Sequence, residues 1–188
     1  MARISMILIG ADPLKPQEFF KEEQKKFKLG VALRMKIPIG QYDPEKFINL
    51  GANRWAIRGA LAGSYTIKNK LVLESHISGW FFQENDNFYG GNSLKQEPLW
   101  GLQFHATYIF KPGIWLAASI GGVRGGLTQI NGTGQSKLNN DRYGLAFAYR
   151  LNNKNSLKAA YTNALFTASG ADFDTYLLAY QFLWFDKK

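Results

Sequence analysis

Two histidines, His76 and His105, and Glu74 beside the first, are residue types that a divalent metal takes as ligands. If Phe82 pairs with Leu99 across the segment between them, the two histidines face each other on neighbouring strands. A histidine pair on a polar face more often simply hydrogen-bonds there, and neither a metal nor a cofactor is expected. A serine, a histidine and an acid can be picked from the same segments. No nucleophile elbow or triad spacing accompanies them, so no catalytic residue is expected and the chain does not read as an enzyme. The run Gly121-Gly122-Val123-Arg124-Gly125-Gly126 lacks the Lys-Ser/Thr of a phosphate loop, and its glycines read as a bend or bulge. Asn131-Gly132 reads as turn chemistry. With no cysteine there is no disulfide, thiolate ligand or cysteine nucleophile.

The remaining chemistry is electrostatic. The 188 residues carry a formal charge of +9. Lys28, Arg34, Lys36, Arg54 and Arg58 alternate with apolar residues, as do Arg142, Arg150 and Lys158 further on. Glu74 is the main acid on the same face, which also holds Gln103. Fixed cations along a low-dielectric wall focus their field and favour anionic solutes. Equally, such cations can pair with acids of missing strands or of loops folded inward. For nucleic acid they are too dispersed, and no platform of stacked aromatic and basic residues is present.

Elements of period two must position these residues. Phe27, Leu29, Val31, Leu33, Met35 and Ile37 fall on one face of an eleven-residue run, with Lys28, Gly30, Ala32, Arg34 and Lys36 on the other. Similar runs start near Trp55, Leu71, Trp100, Ile114, Arg142, Leu157 and Asp174, which makes eight strands, with residues 2 to 9 as the end of a ninth. Between them, Lys68-Asn69-Lys70, Lys111-Pro112-Gly113 and Asn152 to Asn155 are tight turns. Long polar loops, 38 to 53, 83 to 98, 124 to 141 and a shorter one at 168 to 172, alternate with the turns and therefore share one end. Tyr42, Asp43, Asn85, Asp86, Phe88 and Tyr89 are placed at the mouth those loops surround.

Strands of this length, with short turns on one rim and long loops on the other, make an antiparallel transmembrane β-barrel. No run of about 18 apolar residues exists to form a transmembrane helix. The polar face is mostly Ala, Gly, Ser and Thr, as a crowded lumen would select. Phe27, Trp55, Tyr65, Tyr108, Phe110, Tyr149, Tyr176 and Trp184 lie near strand ends on the apolar face, as interfacial girdles do. The alternative is a soluble β-barrel binding a small hydrophobic ligand within its apolar face. The expected organisation is one barrel domain over 1–188, with 1–26 a partial strand and linker and 27–185 the eight strands. The charged segment 16–26 reads as a solvated linker rather than a helix. The apolar stretch at the N-terminus is too short for a signal peptide, so the chain reads as mature, truncated or not exported. Eight strands suffice to close without an open edge in lipid, around an interior filled by side chains.

Gly40-Gln41-Tyr42-Asp43-Pro44-Glu45-Lys46-Phe47 and the residues that follow to Trp55 carry a family resemblance, as do Asn85-Asp86-Asn87-Phe88-Tyr89-Gly90-Gly91 and Gly170-Ala171-Asp172-Phe173-Asp174. They resemble the "meta-pathway of phenol degradation" family of outer-membrane transporters. The early Arg3-Ile4-Ser5-Met6, the pair Gly125-Gly126 and Asn155-Ser156-Leu157-Lys158 extend the resemblance over nearly the whole chain. It implies a porin-like barrel in the outer membrane of a Gram-negative bacterium, passing small aromatic or other hydrophobic compounds. Its partners would be the lipid bilayer, the solute and the barrel-insertion machinery. Members of that family are longer, so the chain resembles the C-terminal part of the family barrel. Asp186-Lys187-Lys188 after Trp184-Phe185 depart from an aromatic terminus and would weaken recognition by the insertion machinery.

Overall fold

The computed structural model describes residues 1–10, 26–170 and 172–184; the proposed linker 16–26, apart from Lys26, lies outside them. Thirteen strands form among the described residues, nine from alternation of large apolar with small or polar side chains and four within the long loops. They are β1 (Ala2–Ile9), β2 (Phe27–Lys36), β3 (Ala56–Ile67), β4 (Leu71–Phe82), β5 (Asn85–Phe88), β6 (Asn92–Gln96) and β7 (Leu99–Lys111). After these come β8 (Ile114–Gly125), β9 (Thr128–Ile130), β10 (Thr133–Gly134), β11 (Leu138–Arg150), β12 (Asn155–Thr167) and β13 (Thr175–Phe182). Nine form one antiparallel meander in the order β1-β2-β3-β4-β7-β8-β11-β12-β13. Strands β3, β4, β7, β8, β11 and β12 are each 12 or 13 residues long, enough to cross a hydrocarbon layer when tilted.

The tight turns follow from local chemistry. Lys68 and Asn69 both take positive φ, 48° and 54°, the handedness that matches the twist of a hairpin. After β11, the Asn152 side-chain oxygen accepts hydrogen bonds from the backbone N–H of Lys154 at 2.9 Å and of Asn155 at 3.0 Å. The long loops differ from simple loops. Residues 85 to 96 fold into the hairpin β5–β6 and residues 128 to 134 into β9–β10, and together they make a second, four-stranded sheet ordered β10-β9-β6-β5. Self-pairing satisfies backbone groups that open loops would leave to water.

The faces separate cleanly. On β3, Ile57, Leu61 and Tyr65 are exposed, while Arg58, Ala60, Ala62 and Ser64 between them are partly buried. Ile77, Phe104, Ile120 and Leu145 continue the exposed apolar face across the sheet at 48–54% exposure. The only buried apolar residues among those described are Ala56 and Ala148. A soluble barrel would turn Leu61, Ile77 and Phe104 into its core; here they cover the outside, which overturns that alternative. All eight girdle aromatics are exposed on the outside as well.

Closure is corrected too. Residues 2–9 are a full strand, so the wall has nine strands, and β1 and β13 are its edges, each with one partner. In a meander the first and ninth strands run in the same direction, and antiparallel pairing cannot join them. The described residues form an open wall rather than a closed eight-stranded barrel.

Candidate functional site

Five cations, Arg3, Arg34, Lys36, Arg54 and Arg58, gather on the polar face near the loop end of β1 to β4. Arg3 on β1 lies opposite Arg34 on β2, Arg34 opposite Arg58 on β3, and Arg58 opposite Trp80 on β4. Lys36 lies opposite Ala56, itself opposite Phe82. The rings of Trp80 and Phe82 stack at 6.2 Å and 14°. Lys36 Nζ sits 5.4 Å from the Trp80 ring centre, the Arg58 guanidinium 6.0 Å from it, and the Arg54 guanidinium 5.0 Å from that of Phe82. Each cation therefore meets the negative face of a ring.

Hydrogen bonds account for only part of these guanidinium groups. Arg58 donates from Nη2 to Ser78 Oγ at 2.9 Å, and Arg54 from Nη2 to Gln96 Oε1 at 2.6 Å. Arg58 Nε and Arg54 Nη1 are buried without a partner. Burial pushes the Arg54 pKa down, because a charge in a drier place costs more to keep. Arg3, Trp80 and Phe82 were not among the solute-facing residues expected from the sequence. Arg3 sits in a stretch whose alternation is too short to assign a face, and Trp80 and Phe82 hide in a run where aromatics also occupy the outer face.

The histidines are not opposite each other. Trp80, not Phe82, pairs with Leu99, so His76 lies opposite Gln103 and Glu74 opposite His105. The imidazoles meet diagonally, edge to face, with centres 5.5 Å apart. Among the described residues no group of three His, Cys, Asp or Glu is placed to hold a metal. Lys28 lies opposite Ser64, and Ser64 opposite Glu74, which puts Lys28 on the same face two strands away. Two cavities hollow this face. One, of about 450 Å³, is lined by Arg3, Arg34, Arg58, His76 and Gln103 among others. The other, of about 520 Å³, reaches from Gln103 and His105 across β8 to Arg142 and Thr162. The small side chains of this face, Ala60, Ala62 and Ser64 among them, are partly buried, while the large ones of the opposite face are exposed.

Arg142 is engaged at the rim, donating from Nη2 to the carbonyl of Phe173, with its guanidinium 4.2 Å from the Phe173 ring centre. Lys158 sits over Trp115 at 5.6 Å. Several of the residues expected at the mouth hold loops to one another. Tyr42 donates its hydroxyl to the Asn87 carbonyl at 3.0 Å and accepts from Asn85 Nδ2 at 2.9 Å. Asn85 is 1% exposed. Phe47 packs edge-on against Phe88 and Tyr89, at 6.0 and 5.7 Å. Asp43 caps its own turn, accepting from the Glu45 backbone N–H at 3.0 Å and pairing with Lys46 at 3.2 Å. These contacts hold its carboxyl below the usual range, the backbone hydrogen bond most of all. Asp86 is exposed.

The fold has a solved counterpart. The crystal structure of an outer membrane channel from Pseudomonas putida F1 is similar with a TM-score of 0.73 and 24% identity, over 83% of this chain and 59% of that one. A weaker likeness, with a TM-score of 0.44 and 12% identity over 86% and 60%, is to the Ralstonia pickettii toluene transporter TbuX. The chain thus spans about three fifths of the length of each. No curated protein sequence matches it. The exposed apolar face, the polar opposite face and the antiparallel meander are those of a transmembrane β-barrel wall, and with residues 6–186 matching the family model, the chain belongs to the family described as "Putative MetA-pathway of phenol degradation".

Proposed function

We propose that the chain forms much of the wall of a channel in the bacterial outer membrane through which small solutes, aromatic compounds among them, diffuse passively. The observation that carries this reading is the division of one sheet into an exposed apolar outer face and a cation-rich, partly buried inner face. Lipid covers the first and solute passes along the second. Membership of a family described by phenol degradation supports the choice of solute class, and the fold shared with an outer membrane channel supports a wall set in a membrane. The path runs from the loop mouth of Tyr42, Asp43, Asp86, Phe88 and Tyr89, past Arg54, Arg58 and Lys36. It continues along Arg34, His76, Gln103 and His105 toward Glu74 and Lys28. The whole chain acts as one domain, and its two free edges are joined in the membrane by further strands of a longer protein. The barrel-insertion machinery places it there, and no catalytic step is needed.

Liposome flux tests the proposal. The full-length protein in proteoliposomes should release encapsulated benzoate or phenol faster than protein-free vesicles do. Folded, inserted protein with release no faster than the lipid background would sink the proposal.

A further inference from the structure

We infer that Arg3, Arg34 and Arg58 form a binding site for the oxyanion of a small solute, either an organic carboxylate or a phosphate. The inference rests on reading the inner face as a solute path. Side chains directly opposite on one face of neighbouring strands have Cβ atoms about 4.5–5.5 Å apart, and like charges placed so destabilise the sheet. Two such pairs share Arg34, one with Arg3 and one with Arg58. Among the described residues none of the three is ion-paired with a carboxylate. An anion seated between the guanidinium groups removes the repulsion and turns it into attraction.

The wall leaves room for that anion. Ser5, Gly30, Ala32, Ala60 and Ala62 surround the row, and the resulting cavity of about 450 Å³ falls in the range that holds small ligands. Arg58 Nε lies buried without an acceptor although Nη2 of the same group is bound to Ser78. A guanidinium fork with spare N–H groups matches two oxygens of a carboxylate or phosphate.

Calorimetric titration of the full-length protein in detergent tests the site, with benzoate, inorganic phosphate and neutral benzyl alcohol as probes. Wild type, Arg34→Gln and Arg34→Lys are compared, each first shown to be folded by its heat-sensitive fast band on a denaturing gel. At least one anion should bind wild type, and Arg34→Gln should weaken it by about tenfold or more. Arg34→Lys keeps the charge without the fork and should fall between them. Benzyl alcohol should be indifferent to both changes. Benzoate bound more tightly than phosphate assigns an organic carboxylate, and the reverse assigns phosphate. The site is overturned if neither anion binds, or if folded Arg34→Gln binds both as wild type does. Flux without anion binding would remove the site and keep the channel, whereas binding without flux would do the opposite.

Discussion

Asn85 donates to the Tyr42 hydroxyl at 2.9 Å while its own side-chain oxygen accepts from Asn53 Nδ2 at 3.0 Å and from the Asn87 backbone at 3.1 Å. One buried amide thus joins the loop after β2 to the β5–β6 hairpin. Asn85→Ala leaves the Asn53 amide and the Asn87 N–H without their acceptor and should cost the loop assembly about 1–3 kcal/mol. Limited proteolysis should then cut within residues 41–53 faster than in wild type, with strand content by circular dichroism unchanged. Equal cleavage rates would show that the amide does not hold the mouth.

Gln103 and Phe104 are neighbours on β7 that point to opposite faces. Phe104→Arg puts a charge into lipid near mid-strand and should cost roughly 2–4 kcal/mol, whereas Gln103→Arg adds one more cation to a polar wall and should cost far less. Denaturant unfolding in lipid vesicles measures both. Similar losses would mean that the faces are not lipid and lumen.

Gly125 ends β8 with φ +98°, and a Cβ there would lie 2.6 Å from the Pro98 carbonyl oxygen. Gly132, with φ +79°, faces open space. Gly132→Ala should cost roughly 1–2 kcal/mol of left-handed strain, and Gly125→Ala more, because backbone must also shift. The temperature at which the folded band converts on a gel should fall in that order.

Asp43 titrates below its ordinary 3.8 because its carboxylate accepts from Glu45 and pairs with Lys46. A depressed folded pKa means stabilisation that is complete above the unfolded value and lost as pH falls through the folded one. Proteolytic protection of residues 43–49 by an acid-active protease should therefore persist down to the ordinary aspartate range and decline below it. Asp43→Asn should remove that dependence; an unchanged pH profile would count against the cap.

Period two in the sequence determined the strands of the nine-stranded wall and, for most of them, which residues share a face, but not the four short strands that form within the long loops. Leu61 with Tyr65, and Arg34 with Lys36, were legible because a slip of one residue would exchange lipid-facing and solute-facing side chains. The turns at Lys68-Asn69 and Asn152 were legible because their residues supply positive φ or a side-chain cap. Register was not. A slip of two residues keeps every side chain on its face, so alternation cannot separate Phe82 opposite Leu99 from the observed Trp80 opposite Leu99. Tertiary structure decided it. The observed register sets Trp100 opposite Gly79, where no side chain obstructs the indole, and brings Phe81 edge-on to it at 5.7 Å. The same non-local choice placed the histidines diagonally and lined up Arg3, Arg34 and Arg58. It also left β1 and β13 as edges, since opposition across strands depends on pairing between segments and not on the order of residues within one.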